Sequence, residues 1–296
     1  MIMSLIIISL LCSGQRIETR MTGFKDTDNS SVYTYDIGYF YKMNKKLTIG
    51  SKIGTYNNIQ TQNLLLKYVE ANAYVVNLFD SIVDADININ YVFGKSNMFR
   101  YDLLFNIKPN KFIYIEIFNS KDFIGTTKSI LEKDVIYNNG ISTDFNFLKE
   151  RLTFIGAYTN QYFTDNNSRG IKVFKIIGMP TKKLGLMLSS KISDLDFYSP
   201  NYFSPLDYDI YSGGVFYTFN IKDNFIFKPR INYGVQYINE KQSNYFSFDI
   251  KFKGWYKDRC GVDLNVGYSN SKDDFVSYDN KYSYWLFDLK LKYQLK

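Results

Sequence analysis

Alternation with a period of two constrains this chain more than any other feature. In WLFDLKLKYQLK (285–296), Trp285, Phe287, Leu289, Leu291, Tyr293 and Leu295 alternate with Leu286, Asp288, Lys290, Lys292 and Gln294. Successive side chains of a β-strand point to opposite faces, so this segment is a strand with one apolar and one polar face. The pattern recurs. Val83, Ala85, Ile87, Ile89, Tyr91 and Phe93 alternate with Asp84, Asp86, Asn88 and Asn90. Phe246, Phe248, Ile250 and Phe252 alternate with Ser247, Asp249, Lys251 and Lys253, and Val262, Leu264, Val266 and Tyr268 with Asp263, Asn265 and Ser269. The segment from Phe225 to Tyr237 behaves likewise, with Lys228, Arg230, Asn232 and Gln236 on its polar side. Helical periodicity is absent. After residue 20 no apolar run approaches the ~18 residues of a membrane-spanning helix.

Turn-forming clusters separate the alternating runs: KDTDNSS (25–31), KMNKK (42–46), GKSN (94–97), TDNNSRG (164–170), NIKDN (220–224) and SKDD (271–274). Tyr and Phe are abundant and Pro is scarce, which favours strands over helices. Counting between breaks predicts about sixteen strands of ~10 residues, the length a tilted strand needs to cross a bilayer. Sixteen strands in sandwiches would show seams between domains, and no linker or composition shift marks one. A single closed sheet needs no seam and leaves no edge. At that strand number side chains cannot fill the interior, so the polar face is the inside and the apolar face meets lipid. The expected fold is therefore all-β, a single closed antiparallel transmembrane β-barrel of about 16 strands over residues 15–296. Its last strand returns beside the first, RIETRMTGF. Tyr39, Tyr41, Tyr91, Tyr237, Tyr268 and Tyr293 fall near strand ends, as interfacial girdles require.

Other classes are excluded by what the chain lacks. It has no histidine, which removes Ser–His and Cys–His nucleophile pairs and His-ligated metals. Its two cysteines, Cys12 and Cys260, do not make a zinc finger or a disulfide framework, although one bridge between them remains formally open. The net charge of +7 is spread through mixed acids and bases, with no basic run that would suit nucleic acid. Residues 1–14 read equally as a signal segment, with an apolar run from Leu5 to Leu11, or as a truncated start.

Three segments carry a family resemblance. RIETRMTGFKDTDNSSVYTYDIGYFYKMNKKLTIG (16–50) resembles an opening hairpin ending in a Leu-Thr-X-Gly pattern. RLTFIGAYTNQYFTDNNSRG (151–170) resembles a strand running into an Asp-Gly-Asn-Arg-like turn, with Asn166 in place of the glycine. YSPNYFSPLDYDIYSGGVFYTF (198–219) resembles a Tyr-X-Ser-Pro-X-X-Tyr segment before a long strand. In order and spacing the chain resembles the C-terminal outer-membrane barrel of the exopolysaccharide exporters, which release cellulose or poly-N-acetylglucosamine. In that family a periplasmic tetratricopeptide superhelix usually precedes the barrel. Only about fifteen residues precede the first strand here. The resemblance implies an outer-membrane pore and no enzyme. It further implies membrane lipid and polysaccharide as partners, with a periplasmic tetratricopeptide domain and an inner-membrane glycan synthase behind them. A general porin is the alternative, followed by an outer-membrane enzyme and a soluble β-rich surface protein.

Alternation alone assigns the lumenal face. The candidate substrate-contacting residues are Asp84, Asp86, Arg100, Asp102, Asp144, Arg230, Asp249 and Asp288. Glu116, Asp263, Lys52, Lys228, Lys251, Lys253, Lys290 and Lys292 share that face. Rings of fixed charge tune what a wide pore admits, while solvation of the wall and cross-strand pairing are the simpler roles for any one of them. Asp84 and Asp86 would lie ~6.6–6.8 Å apart along one strand face, a spacing known from glycosidase pairs but common to any strand with two acids. In TDNNSRG, Asp165 and Arg169 could touch sugar, but a tight turn is the better reading. SPNYFSP (199–205) reads as a stiffened loop, and Cys260 as a lone thiol near a turn. No cofactor or metal is expected.

Overall fold

The structure, a computed structural model, describes residues 15–26, 31–59, 63–78, 82–94, 97–124, 132–149, 151–199, 205–222, 224–270 and 283–295. The first strands are β1 (Gln15–Asp26), β2 (Ser31–Lys42), β3 (Leu47–Ile59), β4 (Asn63–Leu78), β5 (Val83–Gly94) and β6 (Met98–Ile107). Then come β7 (Ile113–Phe123), β8 (Val135–Phe147), β9 (Leu152–Phe163), β10 (Ser168–Gly178), β11 (Leu184–Leu195) and β12 (Asp207–Tyr217). The chain continues through β13 (Phe219–Lys222), β14 (Phe225–Ile238), β15 (Lys241–Tyr256), β16 (Cys260–Ser269) and β17 (Tyr284–Gln294). β12 and β13 both pair with β14 and form one strand interrupted at Thr218, so the seventeen segments occupy sixteen positions. All pairs are antiparallel between sequence neighbours, and β17 returns to pair with β1. The sheet is closed and has no edge. The expectation of sixteen strands in one closed barrel holds.

The strands are somewhat longer than the ten residues expected. Twelve residues at ~3.3 Å per residue span about 40 Å, and a tilt near 40° projects this to about 30 Å, the thickness of a bilayer core. The register fixes which residues share a face. Leu289 stands opposite Met21 and Leu264, while Lys290 stands opposite Arg20 and Asp263. Burial is inverted relative to a soluble protein. Outward Leu188 and Tyr233 are 63% and 60% exposed, whereas inward Asn90, Gln161 and Asn232 are 7%, 7% and 5% exposed. The six tyrosines singled out above all take the outward parity of their strands.

The two rims differ. At the rim carrying Gln15, every connection is short: 43–46, 79–82, 108–112, 148–151, 179–183, 223–224 and 257–259. A repeated device tightens them. The Asn44 Oδ1 accepts hydrogen bonds from the Lys46 and Leu47 amides at 2.8 and 2.9 Å, and the Asn110 Oδ1 from Phe112 and Ile113 at 2.8 and 3.0 Å. The Thr181 Oγ1 accepts from Leu184 N at 2.9 Å. Each side chain supplies the acceptor that a two-residue turn would find in backbone. At the opposite rim run the long connections 124–134, 196–206 and 270–283. The same rim has the two-residue hairpin Asn239-Glu240, with φ of 46° and 69°. Both angles are positive, as a type I′ turn demands, although no glycine signals it.

TDNNSRG is a turn only as far as Asn167, because β10 begins at Ser168. Asn166 takes a φ of 66°. Asn167 is buried; its Nδ2 donates to Phe197 O at 2.7 Å and its Oδ1 accepts from Phe197 N at 3.2 Å. The turn thus holds down the start of the 196–206 connection. We expect Asn167→Ala to cost about 1–3 kcal/mol by leaving both Phe197 backbone groups without this partner. Denaturant titration of the refolded barrel checks this, and an unchanged midpoint would contradict it.

Candidate functional site

The bore is the site, and its openness depends on where its large side chains lie. Phe40, Phe118 and Phe216 have inward parity, and each stands directly opposite a glycine: Gly50, Gly140 and Gly185. Each ring occupies the place a Cβ would take on its partner. The rings therefore lie flat on the wall instead of projecting across the lumen, a cross-strand rescue of glycine by an aromatic. One expectation needs correction here. The inner face is not polar throughout. Near the rim opposite Gln15, Leu66, Val92 and Met98 of the inner face form a buried cluster with Phe123 and Val135 at the strand ends, and Ile124, Phe163 and Leu195 form another. These apolar groups pack where the wall meets the long connections, and they line the rim rather than the barrel axis.

Below that rim the inner wall is charged and amide-rich. All eight candidate residues have inward parity, and they are distributed over β5, β6, β8, β14, β15 and β17. They do not converge on one point but are spread around the wall, with Asp84 and Asp86 two residues apart on one face of β5. Arg20 grips Asp288 through Nε and Nη2 at 2.9 and 2.8 Å, joining the first strand to the last. Arg100 Nη2 is 2.6 Å from Asp122, Arg230 Nε is 2.5 Å from Asp249, and Lys108 Nζ is 3.4 Å from Asp84. Lys292 pairs with Asp263, and Lys290 reaches Glu18 at 3.5 Å. Lys52 donates to Glu70 at 2.8 Å, and Glu70 also accepts from Asn72 and Asn90 at 2.6 and 3.2 Å. Among the described residues, Asp86, Asp102 and Asp144 make no ion pair.

Arg20, Glu70, Asp122, Lys175 and Lys191 were not singled out from sequence. The strands of Glu70 and Lys175 hide them. NLLLKYVEANAYVVNL (β4) and SRGIKVFKIIG (β10) carry apolar residues on both faces, so parity has no contrast to read. Arg169 is 4% exposed, with Gln161 at 3.4 Å and the Phe163 ring 5.4 Å away. That burial supports the structural reading of TDNNSRG. Cys260 is an exposed free thiol directly after the 257–259 turn. Cys12, residues 1–14 and residues 200–204 of SPNYFSP lie outside the described residues, as does the SKDD turn.

Two cavities open onto this face. One of ~800 Å³ is lined by Arg16, Glu18, Lys52, Asn72, Asp86 and Lys290, among others. It follows the curved inner wall from β17 through β1 to β5. The second, ~300 Å³, is lined by Lys175, Lys191, Arg230, Asp249, Lys251 and Asn265 among others, and follows the wall from β10 to β17. Four asparagine carbonyls, on Asn72, Asn90, Asn232 and Asn265, are buried along this face with no protein donor. No group of three or more His, Cys, Asp or Glu side chains suited to a metal occurs among the described residues.

A closed antiparallel sheet, an apolar outer wall and a polar bore define the outer-membrane β-barrel as a structural class. No family model matches the chain, and no curated protein matches its sequence. Among solved structures, the fold is similar to that of a bacterial polysaccharide outer membrane secretin. The two share 8% sequence identity and a TM-score of 0.71, over 95% of this chain and 98% of that one. It is also similar to OprD of Pseudomonas aeruginosa, with 8% identity and a TM-score of 0.50, over 96% of this chain and 97% of that one. At such identities the likeness is one of backbone path, and the chemistry of the bore has to be read from this chain's own residues.

Proposed function

We propose that the protein is an outer-membrane pore that passes an exopolysaccharide through its bore. The observation that carries this reading is the inverted wall: apolar side chains outside a closed sixteen-position barrel, and amides, hydroxyls and charges inside it. Sugar hydroxyls can exchange water-like hydrogen bonds along such a wall. The fold likeness to a polysaccharide outer membrane secretin supports the polymer over a small solute. Short turns characterise the periplasmic rim of such barrels, so the Gln15 rim faces the periplasm and the long connections face outward. Passage is passive, with no catalytic step, and is driven by synthesis behind it. An inner-membrane glycan synthase, with a periplasmic tetratricopeptide domain between, is the partner this scheme requires.

The refolded protein in planar lipid bilayers should give discrete conductance steps. Oligosaccharides of β-linked glucose or N-acetylglucosamine should interrupt the current for times that lengthen with chain length. Interruptions independent of length would favour a general porin, and absence of any steps would contradict the pore.

A further inference from the structure

The charges of the bore are sorted by sector. On β16, β17, β1, β3 and β4 they neutralise one another locally, through Lys292–Asp263, Arg20–Asp288, Lys290–Glu18 and Lys52–Glu70. The remaining wall is different. Four consecutive strands, β5 to β8, each place one carboxylate inward without an ion pair among the described residues: Asp86, Asp102, Glu116 and Asp144. Asp86, Asp122 and Glu70 all lie within electrostatic reach of Asp102, with Arg100 as the one cation among its neighbours there. On the other side, β10, β14 and β15 place Lys175, Lys228 and Lys251 inward, also without an ion pair among the described residues. Arg230, Lys191 and Lys251 lie within reach of Lys175, as does Asp144 at the border of the acidic group, and Arg230, Lys251 and Asp249 lie within reach of Lys228. β9 stands between the two groups and turns only the uncharged Thr153, Ile155, Ala157, Thr159, Gln161 and Phe163 inward. The carboxylates form one arc of the bore and the ammonium groups another.

Locally paired charges cancel at a distance, whereas arcs of one sign add. We propose that these two arcs set up a field across the bore, perpendicular to the direction of transport, that selects a zwitterionic substrate. The chemical class is a glycan carrying both ammonium and carboxylate groups, the first turned toward β5–β8 and the second toward β10–β15. This rests on the pore reading above and narrows its substrate. Neutral sugars gain nothing from such a field. A solute with a single charge is attracted by one arc and repelled by the other. A segment with both charges is held in one orientation by each.

The test uses the whole protein in planar bilayers with a disaccharide of one amino sugar and one uronic acid, beside maltose as the neutral control. The zwitterion should dwell about fivefold longer than maltose, the scale of one solvent-exposed ion pair. Neutralising the acidic arc (Asp102→Asn, Glu116→Gln, Asp144→Asn) should abolish that preference and make the pore anion-selective in a salt gradient. Neutralising the basic arc (Lys175→Gln, Lys228→Gln, Lys251→Gln) should abolish it and make the pore cation-selective. Should a triple variant not refold, the single substitutions Asp102→Asn and Lys251→Gln should shift the reversal potential in opposite directions. Equal dwell times in the wild type, or shifts of the same sign in the two variants, would overturn the proposal. Conductance without discrimination defeats only the transverse field, whereas a wild type with no conductance defeats the pore reading itself.

Discussion

The Leu289→Arg chain should assemble in bilayers far less stably than the wild type, whereas the Lys290→Leu chain should insert as the wild type does. Leu289 is the middle residue of β17 and stands in a row with Met21 and Leu264 on the outer wall. An arginine there places a guanidinium against hydrocarbon at the midplane, which costs about 2–4 kcal/mol in barrels of this kind. That is a large part of the ~5–15 kcal/mol that holds a typical fold together. Lys290 is one residue away and points into the bore. Removing its ammonium deprives Glu18 of a partner at 3.5 Å, but Arg16 still pairs with Glu18 at 2.7 Å. The change should alter conductance and leave assembly intact. Denaturant titration in vesicles, read by heat-dependent mobility on gels, gives the two energies. The reverse ranking would contradict the assignment of faces.

Loss of β17 should be more severe still. A chain stopped after Ser283 removes the strand that pairs from Arg16 to Asp26 on one side and from Cys260 to Ser269 on the other. Both newly bare edges would then meet lipid. Each unsatisfied backbone group in hydrocarbon costs several kcal/mol, because no water is present to replace the lost partner. Over two ladders the penalty exceeds the stability of the whole fold, so no heat-modifiable barrel should form in any lipid. A truncated chain that refolded and conducted would show that the sheet can close another way, and would contradict the closed topology. Asp288→Asn is the milder companion. It keeps the ladder and weakens only the Arg20 clamp, so a barrel should still form.

The fold was legible wherever one face was polar along most of its length. β17, β5 and β15 show this, because Asp288, Asn88 and Asp249 interrupt rows of Leu, Ile and Phe at every second position. Legibility failed where the inner face is itself apolar. On β4, Leu66 and Tyr68 point inward to the cluster at the rim opposite Gln15, so NLLLKYVEANAYVVNL shows no contrast and Glu70 went unread. On β10, Ile171, Val173 and Ile177 share the inner face with Lys175, and the lysine looked like an ornament of an apolar run. The Asn239-Glu240 hairpin was silent for another reason: its second positive φ is carried by Glu240, where such a turn ordinarily has glycine. Which charges pair depends on register. Alternation put Asp102 and Asp288 on one face, but only the ladder shows that Arg20 holds Asp288 while Asp102 has no cation of its own.

The central claim is that lipid surrounds this cylinder and water fills it. Single cysteines at positions 287 to 292, in a chain with Cys12→Ser and Cys260→Ser, each labelled with an environment-sensitive fluorophore in vesicles, test it directly. Labels at 287, 289 and 291 should be quenched by brominated acyl chains, and labels at 288, 290 and 292 by aqueous iodide. Quenching with the opposite parity, or with no two-residue period at all, would contradict the account.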